Sequence, residues 1–126
     1  MLSLSLKAHP LAFLRADLAA IRATTSERLA GLRSGAHVRV AGLVLVRQRP
    51  GSAKGVIFLT LEDETGVANV VVWPKVFERF RSVVLGGRLI VVDGRLQNEQ
   101  GVIHVVADTL RDRTAVLFAP RSRERA

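Results

Sequence analysis

The sequence predicts a mainly β fold: a small five-stranded barrel with a helix between strands 3 and 4, preceded by short N-terminal helices. Two observations carry that reading. From His37 onward the apolar residues recur with a period of two, in runs separated by glycine-, proline- and acid-containing turns. Behind Pro74 a single stretch switches to helical spacing before the period of two returns.

Taken in order, residues 9–35 read as two short helices. Pro10 suits a first helical position, and Leu11, Leu14, Leu18 and Ile21 share one helical face. Thr24-Thr-Ser-Glu27 fits a capping box, with Leu29 and Leu32 continuing the second helix and Gly35 stopping it. Both are too short to stand alone in water, so they are expected to pack on the strands C-terminal to them. The first strand starts at His37, where Val38, Val40, Val44 and Val46 alternate with Arg39, Ala41, Leu43, Leu45 and Arg47. Gly42 interrupts it and suggests a bulge or sharp bend, which lets one strand serve two sides of a barrel. Residues 49–55 form an exposed loop. Val56–Glu62 is the second strand, 63–66 a tight turn and Val67–Trp73 the third strand. Val76, Phe77, Phe80, Val83 and Val84 then suit a helix ending near Gly86-Gly87. Arg88–Leu96 is the fourth strand, Gln97–Gly101 a turn and Val102–Ala107 the fifth. Three strands, a helix and two strands is the order of the five-stranded OB-fold barrel.

The chain divides into an N-terminal helical segment (1–35), the OB-fold domain (36–110) and a basic C-terminal tail (111–126). At 126 residues it has room for one core, and 48% hydrophobic residues argue for a compact body rather than disorder. The absence of cysteine excludes a disulfide scaffold and any cysteine-based zinc site or nucleophile. No apolar run is long enough to cross a bilayer, and Lys7 falls where a signal peptide would be apolar, so a soluble, cytoplasmic protein is expected. The net charge of +8 suggests a polyanionic partner. Most of that excess lies in the flanks, because residues 36–110 hold nine Lys/Arg against seven Asp/Glu. Solvated basic tails would account for it equally well.

Nothing in the sequence builds an enzyme, a metal site or a cofactor site. Glu62-Asp63-Glu64 precedes Thr65-Gly66 and reads as an exposed turn rather than a metal cluster. His9, His37 and His104 share no ligand spacing. Residues 51–55 lack the arrangement of a phosphate loop and lead into a strand, not a helix. No catalytic residue is expected.

The second strand is more informative. Ile57, Leu59 and Leu61 form one face, and Phe58, Thr60 and Glu62 the other. On the third strand Ala68, Val70 and Val72 oppose Asn69, Val71 and Trp73. With the aliphatic faces inside, Phe58 stands on the open side of the barrel beside polar groups, as a base-stacking residue of an OB fold does. The competing arrangement covers Phe58 and Trp73 with the N-terminal helices. Arg47, Arg49 and Lys54, on the first strand's end and its loop, are candidates to hold phosphates, with Arg39 as a fourth.

The stretches His37–Gly55, Ile57–Gly66 and Asn69–Pro74 closely resemble the C-terminal OB region of bacterial error-prone DNA polymerases, the C-family alpha-type enzymes of translesion synthesis. Leu4–Arg15 is similar to the segment preceding that region, and Pro120-Arg-Ser-Arg123 to a motif near the family's C-terminus; Glu124-Arg-Ala126 departs from the family's ending. The resemblance implies a detached part of such a polymerase, without its catalytic carboxylates, acting in DNA replication and repair of damage. A looser resemblance is to the anticodon-binding OB domains of class II aminoacyl-tRNA synthetases, where Phe58 falls at the base-stacking phenylalanine and Asn69 near a base-reading glutamine. Together these give a single-stranded DNA-binding module in which Phe58 stacks on a base, Thr60 and Asn69 hydrogen-bond, and Arg39, Arg47, Arg49 and Lys54 hold phosphates. The alternative is a protein-interaction OB fold docking the polymerase body or other translesion proteins; a third reading is a non-functional remnant.

Overall fold

The structure is a computed structural model that describes residues 23–48 and 55–115. The expected first helix and the basic tail beyond Ala115 lie outside them. A 3-10 turn at Ser26–Gly31 leads into β1 (His37–Gln48), β2 (Ile57–Asp63), β3 (Gly66–Val72), α1 (Pro74–Arg79), α2 (Arg81–Gly86), β4 (Leu89–Glu99) and β5 (Val102–Asp112). The strands close into a barrel in the order β1-β2-β3-β5-β4, with β1 returning to β4. β3 and β5 run parallel and every other pair antiparallel. This is the OB barrel that the element order predicts.

β1 is long because it pairs twice, with β4 over His37–Leu43 and with β2 over Leu43–Gln48. The expected bend at Gly42 is divided between two residues. At Gly42 a Cβ would lie 2.9 Å from the Glu62 carbonyl oxygen and 2.9 Å from the Leu61 Cβ, so only glycine lets β2 come this close. The bulge itself falls between Val44 and Val46, leaving Leu45 unpaired and 52% exposed.

The core is filled by the inward faces that the alternation marks: Leu59 and Leu61, Val70 and Val72, and Ile90, Val92 and Val105 from the remaining strands. Pro74 opens α1, and Phe77 and Val84 join the same core. The single helix expected here is broken at Phe80 (φ −118°, ψ 29°) into two short pieces.

Three further expectations are revised. Residues 24–35 do not form a capped α-helix: Thr25 makes no side-chain cap, and the 3-10 turn is held by the β2–β3 hairpin. The Ser26 amide donates to Asp63 Oδ2 at 2.7 Å and the Glu27 amide to Thr65 Oγ1 at 3.0 Å. Asp63 is accordingly not an exposed turn residue; it is 3% exposed, and its Oδ1 also accepts from the Thr65 amide, the Thr65 hydroxyl and the Gly66 amide. The β4–β5 hairpin is longer than expected, because Gln97–Glu99 and Thr109–Asp112 pair beyond the apolar runs. Its turn is only Gln100 (φ 55°) and Gly101 (φ 83°), the two left-handed residues of a type I′ hairpin.

Candidate nucleic-acid interface

The pleat of β2 sends Ile57, Leu59 and Leu61 into the core and leaves Phe58, Thr60 and Glu62 half-buried on the outside. Register then decides what stands beside them. Phe58 faces Val71 on β3 and Gln48 on β1, while Thr60 faces Asn69 on β3 and Val46 on β1. Directly opposite residues lie about 4.5–5.5 Å apart at Cβ, so the Phe58 ring, the Thr60 hydroxyl and the Asn69 amide share one small patch. Strands 2 and 3 are also where OB folds receive oligonucleotides.

Asn69 is exposed and lines a cleft of about 320 Å³ with Ser26, Glu27 and Leu29 of the 3-10 turn and Gly101 and Ile103 of the β4–β5 hairpin. The Asp63 bonds that dock the 3-10 turn therefore also build one wall of that cleft. Burial by itself pushes the Asp63 carboxyl up. The bonds from the Thr65 hydroxyl, the Ser26 amide and the Thr65 amide outweigh it and hold the carboxyl below its ordinary value.

The cations are placed differently. Arg39 lies on the β1–β4 seam, opposite Asp93, with its Nε 2.5 Å from Asp93 Oδ1. Arg111 approaches the same carboxylate at 3.6 Å. The Arg47 side chain turns to the end of α2, where Nε donates to the Val84 carbonyl at 2.6 Å and Nη2 to the Gly87 carbonyl. Neither guanidinium joins the Phe58 patch. Arg49 and Lys54 lie outside the described residues.

One cation on the outer face is missing from the sequence reading. Val71 pairs with Val106 and Val106 with Arg95, so the row Gln48–Phe58–Val71–Val106 continues to an exposed arginine. Arg95 makes no ion pair among the described residues. Its alternation with the buried Leu96 marks it as outward-facing, but only the β3–β5 register aligns it with Phe58. Trp73 stands 51% exposed at the end of β3. No helix among the described residues is long and apolar enough to cross a membrane.

A family model described as an OB-fold nucleic acid binding domain matches residues 38–113. Over 116 residues the chain is 60% identical to the error-prone DNA polymerase 1 of Rhizobium meliloti, covering 92% of this chain and 10% of that protein. It is 56% identical over 119 residues to the error-prone DNA polymerase of Caulobacter vibrioides, covering 94% of this chain and 11% of the relative. The chain thus spans about a tenth of the curated relatives it matches. Among solved structures, an asparaginyl-tRNA synthetase from Pyrococcus horikoshii complexed with asparaginyl-adenylate is 28% identical with a TM-score of 0.64, over 84% of this chain and 26% of that one. The S. pombe Stn1-ten1 complex, 16% identical with a TM-score of 0.53 over 71% of this chain and 70% of that one, shares the fold alone.

Proposed function

Because the chain belongs to the OB-fold nucleic acid binding domain family, we propose that it is a single-stranded nucleic-acid-binding module of an error-prone DNA polymerase. The observation that carries this is the juxtaposition of Phe58, Thr60 and Asn69 on the outer face of β2 and β3, with Thr60 directly opposite Asn69.

The chemistry comes from those groups. Phe58 offers a ring to the face of an unpaired base, and every base has such a face, so the contact tolerates sequence. The Thr60 hydroxyl and the Asn69 amide both donate and accept, which suits the edge of the stacked base. A base inside a duplex has its faces occupied by neighbours, so a stacking site of this kind favours single strands. Arg49 and Lys54, between β1 and β2 in sequence, would hold phosphates, and Arg95 would add one at the far side of the face. Arg39 and Arg47 fit that role less well, because Asp93 and the end of α2 already engage them. Nucleotide transfer in this reading belongs to the remainder of the polymerase, and the module positions template beside it.

The test is a fluorescence-anisotropy titration with labelled single-stranded and blunt duplex DNA at several salt concentrations. Tighter binding to the single strand is expected. With three or four phosphates engaged, log affinity should fall with log salt at a slope of about −2 to −3. Equal or tighter binding to duplex would turn the reading toward a protein-docking OB fold.

A further inference from the structure

Trp73 directly follows β3 as the N-cap of α1, and its backbone is still extended (φ −75°, ψ 157°), so the alternation of the strand runs on for one more residue. Val72 is fully buried, and Trp73 projects outward on the side of Asn69 and Val71. Val71 in turn faces Phe58. Residues diagonal across a strand pair lie about 7–8 Å apart, within reach of aromatic side chains. That is roughly twice the ~3.4 Å step of stacked bases, the stretch needed when successive bases are splayed onto separate rings.

The ring is not a packing residue. It is 51% exposed and stands outside the core cluster. Its backbone is held firmly, since Pro74 opens α1 and the Trp73 carbonyl accepts the Phe77 amide at 2.9 Å. A large aromatic presented to solvent from a fixed backbone binds with little ordering cost.

The charge around it selects the ligand. β1 ends at Gln48, the neighbour of Phe58, and the described chain resumes at Gly55. A Cβ on Gly55 would lie 3.3 Å from the Pro74 ring, so Gly55 sits next to the residue that follows Trp73. The described residues on either side of the stretch that carries Arg49 and Lys54 in sequence thus sit beside the two aromatics, and the exposed Lys75 comes two residues after Trp73. Rings bordered by cations suit a polyanion with stackable faces better than an apolar peptide.

We propose that Trp73 is a second stacking station, so that Phe58 and Trp73 hold two successive bases of one strand; this rests on the nucleic-acid function proposed for the Phe58 patch.

The chain has one tryptophan and no tyrosine, so its intrinsic emission reports this ring alone. The full chain is titrated with an unlabelled oligo(dT), and in parallel with a labelled one read by anisotropy. Tryptophan quenching that saturates with the anisotropy change is expected. Trp73→Ala should weaken binding by about five- to fifty-fold without lowering the melting temperature, and Trp73→Phe should restore part of it. Binding by anisotropy with unchanged emission and undiminished affinity of Trp73→Ala would overturn the second station and leave the nucleic-acid reading intact, pointing to a protein partner on this ring. No binding by anisotropy even at low salt would remove both. A large fall in melting temperature for Trp73→Ala, with no quenching in the unaltered protein, would make the ring structural and end the proposal.

Discussion

The backbone amide of Ser26 donates to Oδ2 of Asp63 at 2.7 Å, which pins the 3-10 turn to the β2–β3 hairpin across 37 residues of chain. The same carboxylate organises its own turn through Oδ1. One buried acid therefore supports the hairpin that carries the Phe58 patch and the cleft beside Asn69.

That carboxylate sets a pH dependence. Its folded-state value lies below the ordinary one, so its contribution to stability is fully present above about pH 4 and is lost as pH falls through the lowered value. Asp63→Asn should cost about 1.5–3 kcal/mol at pH 7, because an amide is a weaker acceptor and turns an N–H toward other donors. Chemical denaturation between pH 3 and pH 7 checks this. The gap between the two proteins should narrow toward the acid end, and a gap constant across that range would contradict the account.

Phe58 and Leu59 are neighbours on opposite faces of β2, half-buried and 1% exposed respectively. Phe58→Ala should weaken single-strand binding by about 1–3 kcal/mol and shift the melting temperature little. Leu59→Ala should instead destabilise the barrel by about 2–5 kcal/mol through the cavity it leaves. Melting curves and single-strand affinities of both variants would show whether stability and binding separate in this way.

Arg47 distinguishes a structural cation from a phosphate contact. Its guanidinium meets the Val84 and Gly87 carbonyls at the end of α2. Because the residue is exposed, we expect Arg47→Ala to cost about 1–2 kcal/mol of stability and to change single-strand affinity less than about twofold. Arg95→Ala should do the reverse, flattening the salt slope by roughly 0.7 for the one phosphate lost. Swapped phenotypes would restore Arg47 as a phosphate ligand.

The purified chain is expected to extend no primer on a primed template with magnesium or manganese. Among its described residues no group of three or more His, Cys, Asp or Glu is placed to hold a metal ion, and two-metal phosphoryl transfer needs ion-holding side chains brought together at one place. Primer extension by protein free of contaminating polymerase is the result that would reverse this.

What the sequence determined by itself is the set of properties that repeat locally. The pleat of Val56–Glu62 and Val67–Trp73 separated Leu59 from Phe58 and Val70 from Asn69, because a pleated strand has no third direction for a side chain. Pro74 and the glycine-bearing turns marked where the strands stop, so the barrel's order was legible. The ends of β4 and β5 were not. Gln97–Glu99 pair with Val102–His104 and bury no side chain of their own, and of Thr109–Asp112, which pair with Ile90–Asp93, only Leu110 is buried, so neither end leaves an apolar period to read. The partners of the charged groups were equally hidden. Arg39 meets Asp93 54 residues on, Arg47 meets Val84 37 residues on, and Asp63 meets Ser26 37 residues back. Each of these depends on how the barrel closes and in which register. A one-residue slip would send every one of those side chains to the opposite face, so only the tertiary structure decided which cations are engaged and which stand open to a ligand.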